Sequence, residues 1–367
     1  MRAPKLREAT LNDYEAIHAL KSEYGFISRT RDEWDHFWKA NPAYQKLEGR
    51  WPVGWVLEAG SRIVGCMANI LTEYELADKE LFGASGHGWA VVPEYRGYSL
   101  LLMEQYIRQN RADVLVTNTA NEHAFRLLKM GGLTEVPLGT WDKSALWITN
   151  CTEFMAGWMG RKNFRAPGLL CYPAALALSI KELPHRARVK AGALRGTRIE
   201  LCPSFDQRFE EFWGALRRLA GSKLLAVRSQ ATLQWHFRYP LIQNRAWILT
   251  ASRGSQLLAY SVILLQQNAK SGVRKAVIAD FQALQDGGPL FTSMLEFALQ
   301  QCRRSGIHLL QTTGFSVEGT DWSRLAPYHV PQPNWIFVYK AQRSELASAL
   351  ANPGVWNPSL YDSDATL

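Results

Sequence analysis

The residues with the clearest chemical capacity lie in one stretch, 86–106, which reads G-H-G-W-A-V-V-P-E-Y-R-G-Y-S-L-L-L-M-E-Q-Y. An apolar strand, ending at Val91 and Val92, runs into a turn built on Arg96 and Gly97, and the turn opens a helix at Tyr98 and Ser99. A helix start carries backbone N–H groups without intrahelical partners and the positive end of the helix dipole, which together suit a phosphate or pyrophosphate. Gly97 permits close backbone approach, and Arg96 can add charge-assisted hydrogen bonds. His87, at the start of the same strand, is the local candidate for a general base, because an imidazole titrates near neutral pH. Asp280 is a second candidate base: it sits inside the apolar strand 276–281, where an unpaired carboxylate is costly. Each has a structural alternative, a hydrogen-bonded histidine between two glycines and an aspartate on the outward face of an alternating strand. Cys66 has no nearby His or Asp in sequence and reads as a small buried hydrophobe.

Positioning these residues takes an α/β chain in which one arrangement occurs twice. In the first half, strands are expected at 5–9, 55–59, 63–71, 86–92 and 114–117, with helices after Asn12, at 31–38, at 99–109 and at 121–130. Glu73 and Glu75 fall in the loop before 86–92. In the second half, helices are expected at 206–219 and from Pro289 to about residue 304, a short helical turn at 232–237, and strands at 247–252, 257–265, 274–284, 307–312 and 335–340. Trp55-Val56-Leu57-Glu58-Ala59 parallels Trp247-Ile248-Leu249-Thr250-Ala251 in the same helix-then-hairpin context, so an internal duplication is expected. The division that follows is 1–150, a connector at 151–198, a second domain at 199–345 and a tail at 346–367.

The segment Val91-Val92-Pro93-Glu94-Tyr95-Arg96-Gly97 resembles the acyl-CoA pyrophosphate motif of the GNAT (GCN5-related) N-acyltransferase superfamily. Asn121-Glu122-His123-Ala124, followed by Gly132-Leu133, resembles the family's later N-x-x-A…G-F segment. The resemblance implies tandem GNAT folds, each a mixed, mostly antiparallel sheet flanked by helices. It also implies acyl transfer from acetyl-CoA or another acyl-CoA to an amine. The phosphates would be held by Val91, Val92, Arg96, Gly97, Tyr98 and Ser99 with Asn121 nearby, and the thioester carbonyl would be polarised by the Val92 backbone. The stretch 356–364, W-N-P-S-L-Y-D-S-D, is similar to tails of GNAT-like proteins associated with bacterial surface-polysaccharide synthesis, which suggests an amino-sugar acceptor or precursor. This chain departs from the pattern at Ser99 and Leu101, where the family has two small residues, and at Leu128, where it often has a tyrosine acid. The second half replaces Arg-Gly by Asp286-Gly287-Gly288-Pro289 and is the weaker candidate for CoA.

Two competing readings follow. One is an aminoacyl-tRNA-dependent transferase resembling the Fem family, using the basic connector; the other is a non-catalytic binding or scaffold protein. Leu101 filling the phosphate turn would favour the scaffold, and a gap between the fourth and fifth strands would favour the enzyme. Charge alone does not choose. The chain carries 42 Lys and Arg against 33 Asp and Glu, a net +9, but residues 1–150 sum to −2, 151–198 to +7 and 199–367 to +4. The surplus therefore belongs chiefly to the connector, where it suggests a membrane-surface contact; nucleic acid is not the expected partner. The five cysteines are scattered with no C-x-x-C pair, so neither a disulfide framework nor a metal site is expected. The longest apolar run, 169–180, is interrupted by Pro173 and is about two-thirds of a bilayer span. The start of the chain is polar and basic, and a cytoplasmic protein is the expectation.

Overall fold

The computed structural model describes residues 3–25, 29–138, 141, 143–161, 167–191, 194, 196–314, 317, 320–331 and 336–367. In chain order the strands are β1 (Lys5–Glu8), β2 (Gly54–Ala59), β3 (Arg62–Leu76), β4 (Lys79–Val91), β5 (Val114–Ala120), β6 (Thr134–Glu135), β7 (Lys143–Ile148), β8 (Arg198–Cys202), β9 (Leu224–Ala226), β10 (Ala246–Arg253), β11 (Gln256–Gln267), β12 (Arg274–Ala283), β13 (Leu309–Thr313), β14 (Tyr328–Pro331) and β15 (Ile336–Ala341). They form two sheets with one pattern of pairing. The first runs β1-β2-β3-β4-β5-β15-β6, and the second β8-β10-β11-β12-β13-β7-β14. In each, three antiparallel pairings lead to one parallel pair, β4 with β5 and β12 with β13, and two antiparallel pairings follow.

The two halves exchange a strand. β15 inserts between β5 and β6 of the first sheet, and β7 inserts between β13 and β14 of the second. The sequence boundaries at 150 and 345 therefore do not follow the sheets, because backbone pairing carries 143–148 into the second and 336–341 into the first. β9 adds a further crossing by pairing with the far end of β3. A core shared by both sheets joins Tyr74, Val114, Val116 and Phe337 of the first to Ile248, Tyr260, Val262 and Val277 of the second. The β3–β4 hairpin is longer than the sequence suggests. Ala77 and Asp78 close it with φ of 49° and 63°, as a two-residue hairpin turn requires. That length puts Glu73 and Glu75 on β3 rather than in a loop, where they pair with Lys46 and Arg217. The short turn expected at 232–237 is part of a longer helix, Gln230–Ile242, started by the Ser229 side chain accepting from the Thr232 N–H.

The connector is helical, as Cys151–Arg161 and Pro167–Ala191. Tyr172, Leu176, Ile180 and Leu183 recur at spacings that place them along one helix side, and all four are at least 59% exposed. No helix among the described residues is long and apolar enough to cross a membrane.

The expected tail is built into the structure. After the helix Ser344–Leu350, the chain passes between the sheets, burying Trp356, Leu360, Tyr361, Ser363 and Asp364. Arg228 anchors it. The guanidinium donates to both oxygens of Asp280 on β12, at 2.9 and 3.1 Å, and to Asp362 of the terminal segment at 2.7 Å. The Arg228 and Asp280 side chains are essentially inaccessible. Breaking a buried ion pair from one side strands the remaining charge. Arg228→Met is expected to lower the unfolding free energy by about 3–5 kcal/mol, measured by urea titration. A loss within experimental error would show that the pair does not anchor the segment.

Candidate active site

β4 and β5 pair only where Gly83–Ser85 face Val114–Val116; beyond that point they diverge, although β4 continues to Val91 and β5 to Ala120. Beyond the divergence β4 carries a bulge on its other edge, against β3. Cys66 pairs with Ala90 and Ala68 with His87, so Gly88 and Trp89 together oppose Met67 alone. Gly88 has φ +61°, a conformation that favours glycine, and a Cβ there would lie 2.6 Å from the Lys21 Nζ, so the lysine would have to move aside for any side chain. Tyr106 props the fork from within, its hydroxyl donating to the carbonyls of Ala84 (2.9 Å) and Val116 (3.3 Å).

The fork opens into a cleft of about 660 Å³. Residues 86–91 form one wall, Thr117, Thr119 and Ala120 the other, and Arg96, Ser99 and Asn121 the mouth. Four of the expected phosphate-site residues, Val91, Arg96, Ser99 and Asn121, thus converge on the cleft, with His87 deeper inside. Asn121 also caps the helix Glu122–Met130 by accepting from the Ala124 N–H at 2.8 Å. Val92 does not fill its expected role: its N–H donates to the Val64 carbonyl at 2.9 Å and is spent. Tyr98 is exposed, 6.4 Å from the Tyr95 ring, and stands outside the cleft lining.

The dimensions and lining fit an acyl-CoA. A diverging pair of strands offers unpaired backbone to an extended chain, and Arg96 stands at the mouth. A Cβ at Gly97 would meet nothing within 4 Å, and Gly97 itself, like Tyr98, lies outside the cleft lining. Leu101 does not obstruct it, being packed against the first core. The turn itself is tighter than the sequence suggests. Residues Pro93–Tyr98 form a 3-10 turn in which the Tyr95 N–H bonds to Val92 and the Ser99 N–H to Arg96, so fewer N–H groups are free for an anion. Leu128, in the family's tyrosine position, is buried on the cleft wall, and the phenols lining the cleft are Tyr24 and Tyr106.

His87 and Asp364 form the floor. The His87 Nδ1 lies 3.5 Å from an Asp364 carboxylate oxygen. Asp364 is itself fixed by the Thr117 hydroxyl at 2.9 Å, the Asn118 N–H at 3.0 Å and the Thr119 hydroxyl. Burial opposes ionisation of Asp364, but His87, Thr119 and Asn118 outweigh it and hold the carboxyl below the usual carboxylate range. Burial pushes the His87 imidazole below its ordinary value; Asp364 opposes the shift while Lys21 and Arg29 add to it. The ring is therefore neutral at neutral pH, and an Nδ1–H directed at Asp364 leaves Nε2 as the acceptor. Nothing in the sequence pattern linked His87 to Asp364, 277 positions apart.

His87, Thr119 and Asp364 also line a second cavity, of about 490 Å³, bounded by the helices Arg31–Lys39 and Gln230–Ile242. The histidine–aspartate pair thus stands on a wall common to two spaces.

The second sheet repeats the geometry with different residues. β12 and β13 pair over Lys275–Ile278 and Leu309–Thr312 and then part around a cleft of about 710 Å³. Its turn carries Asp286, with φ 50°, in place of an arginine. Asp280 lines this cleft but is not a free base, which corrects the sequence expectation. Its oxygens accept from Arg228, Tyr260, Ser359 and Gln282 at 2.8–3.2 Å. Burial raises its proton affinity, but Arg228 more than offsets this and holds it ionised. Cys66 is a buried free thiol whose proton affinity burial raises, as expected of a core residue.

Comparison of the sequence with protein-family models and with curated proteins returns no match. Solved structures do match. A GCN5-related N-acetyltransferase from Kribbella flavida aligns with a TM-score of 0.55 at 11% identity, covering 92% of this chain and 71% of its own. One from Anabaena variabilis gives 0.54 at 12% identity, covering 92% and 72%. A probable N-acyltransferase of unknown function from Enterococcus faecalis gives 0.56 at 8% identity, covering 93% and 73%. Two similarly ordered mixed sheets, each forked at its parallel pair and flanked by helices, together with these alignments, give the chain the fold of the GCN5-related N-acetyltransferases.

Proposed function

We propose that the chain is an N-acyltransferase of tandem GNAT type, whose first half moves an acyl group, acetyl in the simplest case, from acyl-CoA to an amine. The observation that carries this reading is the His87–Asp364 pair on the wall between a forked-strand cleft and a second cavity. A donor in the cleft and an acceptor in the cavity would meet at the imidazole. Acyl-CoA supplies the acyl group as an activated thioester. Arg96, Ser99, the Gly97 turn and Asn121 would hold it. An alkylammonium must lose a proton before attack, and His87 Nε2 accepts it while Asp364 fixes the tautomer and steadies the imidazolium that forms. Tyr24 is the phenol we assign to return a proton to the departing thiolate. The acceptor class we assign is an amino sugar of a surface polysaccharide or its precursor, on the likeness of 356–364 to such proteins.

The alternatives weaken on particular residues. The scaffold reading needed Leu101 in the turn, and Leu101 is partly buried against the first core. The tRNA reading draws on the basic connector, where the Arg186 guanidinium donates to the Ile148 carbonyl at 3.2 Å rather than standing free.

We also propose that the helix Pro167–Ala191 rests on an acidic membrane surface, its exposed Tyr172, Leu176, Ile180 and Leu183 flanked by exposed Lys181, Arg188 and Lys190.

Three kinds of measurement test these readings. Titration calorimetry should show saturable acetyl-CoA binding that Arg96→Ala weakens by about tenfold or more, the worth of a charge-assisted contact to phosphate; no binding of any acyl-CoA would end the proposal. In acetyl transfer, His87→Ala should lose about 10²–10⁴-fold in kcat. The acidic limb of the wild-type kcat/KM profile should fall below the ordinary imidazole value of about 6.5. Asp364→Asn removes the group that raises the His87 value, so the limb should move to still lower pH as kcat drops; an unmoved limb would separate Asp364 from the base. In vesicle sedimentation, phosphatidylserine-containing vesicles should retain the chain in a salt-sensitive way and Ile180→Asp should release it, whereas equal retention on phosphatidylcholine alone would contradict the charge argument.

A further inference from the structure

The second cavity has a charge asymmetry that proton transfer does not explain. Lys21, from the helix Tyr14–Glu23, is 8% exposed and lines the cavity with its ammonium group against the β4 bulge. Among the described residues it has no carboxylate within ion-pairing range and no hydrogen-bond acceptor. Arg29 lines the same space. Its guanidinium stacks on the Phe37 ring at 4.1 Å and likewise has no ion-pair partner among the described residues. Arg245 is exposed on the lining and donates to the Gln243 side chain rather than to a carboxylate. A buried ammonium ordinarily has an anion beside it, because its desolvation is otherwise uncompensated.

The side-chain carboxylates of the cavity are already committed. Asp364 is engaged by Thr117, Asn118, Thr119 and His87. Glu33 accepts from the Thr30 N–H, closing the cap of its own helix, and from Gln243. The imidazoles are committed as well: His36 to the Trp235 carbonyl at 3.0 Å and His236 to the Thr366 hydroxyl at 2.8 Å. Lys21 and Arg29 are therefore cations presented to a cavity whose side-chain carboxylates are engaged elsewhere. Burial lowers the proton affinity of both, Arg29 to about 10, a cost that a bound anion would reverse.

We propose that this cavity binds an acceptor amine that also carries an oxyanion, a carboxylate or a phosphate, with Lys21 and Arg29 holding the oxyanion and His87 facing the amine. The proposal rests on the acyltransferase reading and narrows its substrate class. The volume, about 490 Å³, suits a small molecule. Lys21 approaches from the bulge, beside His87, so the oxyanion and the amine must be close together in the acceptor. That geometry favours compact acceptors, such as an amino acid or a phosphorylated amino sugar, over an amine within a long neutral polymer.

The test uses acceptor pairs that differ in the oxyanion alone: glucosamine against glucosamine 6-phosphate, and glycinamide against glycine, with acetyl-CoA as donor. Binding is read by calorimetry and turnover by release of free CoA. The charged member of at least one pair should bind about tenfold or more tightly, and Lys21→Met and Arg29→Met should each remove that preference while leaving acetyl-CoA affinity intact as evidence of folding. The pair that shows the preference identifies phosphate or carboxylate as the group recognised. Turnover with no preference in either pair, or a preference that survives both substitutions, overturns the anion site and leaves the transferase standing. Lys21-dependent binding of a charged amine without turnover overturns the transferase and keeps the anion site.

Discussion

Arg228 lies between Asp280 of the second sheet and Asp362 of the terminal segment, and the placement of the candidate site depends on that contact. An inaccessible guanidinium is sustained only if its anions are fixed, and both carboxylates here have further donors. Tyr260 and Ser359 bond to Asp280, and the Ser359 N–H bonds to Asp362. The result is a rigid attachment of the terminal segment to β12. Two residues beyond Asp362, the same segment delivers Asp364 to the open fork of the first sheet. A charge network rooted in one half thus orients the presumed base of the other. Burial pushes Asp362 upward in proton affinity while Arg228 resists.

The exchanged strands make the halves interdependent in the same sense. β15 completes the sheet that carries His87, and β7 completes the sheet that carries Asp280. Neither sheet is built from one contiguous stretch of chain. Within this shared architecture, local sequence separates the two clefts. Arg96 and Gly97 present positive charge and open space at the first turn, whereas Asp286 presents a carboxylate at the second. The geometry of a forked parallel pair is repeated, and its suitability for an anionic donor is not.

Much of this was legible in the sequence because it is local. Apolar runs along β10 to β12 around the Arg253-Gly254 turn, the periodicity of the helices and the cap residues located most elements, and the Val91–Gly97 segment with Asn121 pointed to the cleft. The rest depends on contacts between distant residues. Val92 resembles a donor until its pairing with Val64 is seen. Asp280 resembles a stranded base until Arg228 is found, 52 positions away, against it. Tail residues 362 and 364 stand out as acidic only once the chain is folded back between the sheets. Lys21 lies on an ordinary amphipathic helix, and only the Gly88 bulge makes a lysine there exceptional. The strand exchange is invisible to periodicity, since β7 and β15 read as strands wherever they pair.

The central claim is that the donor lies in the fork between β4 and β5 with its reactive end at His87. A crystal structure of the full chain with a non-transferable thioester analogue of acetyl-CoA tests it most directly. The account predicts the extended arm of the ligand between residues 86–91 and 117–120, its phosphates at Arg96 and its acyl group beside His87. Occupancy of the cleft at Asp286 and Gly287 with the first fork empty would contradict it.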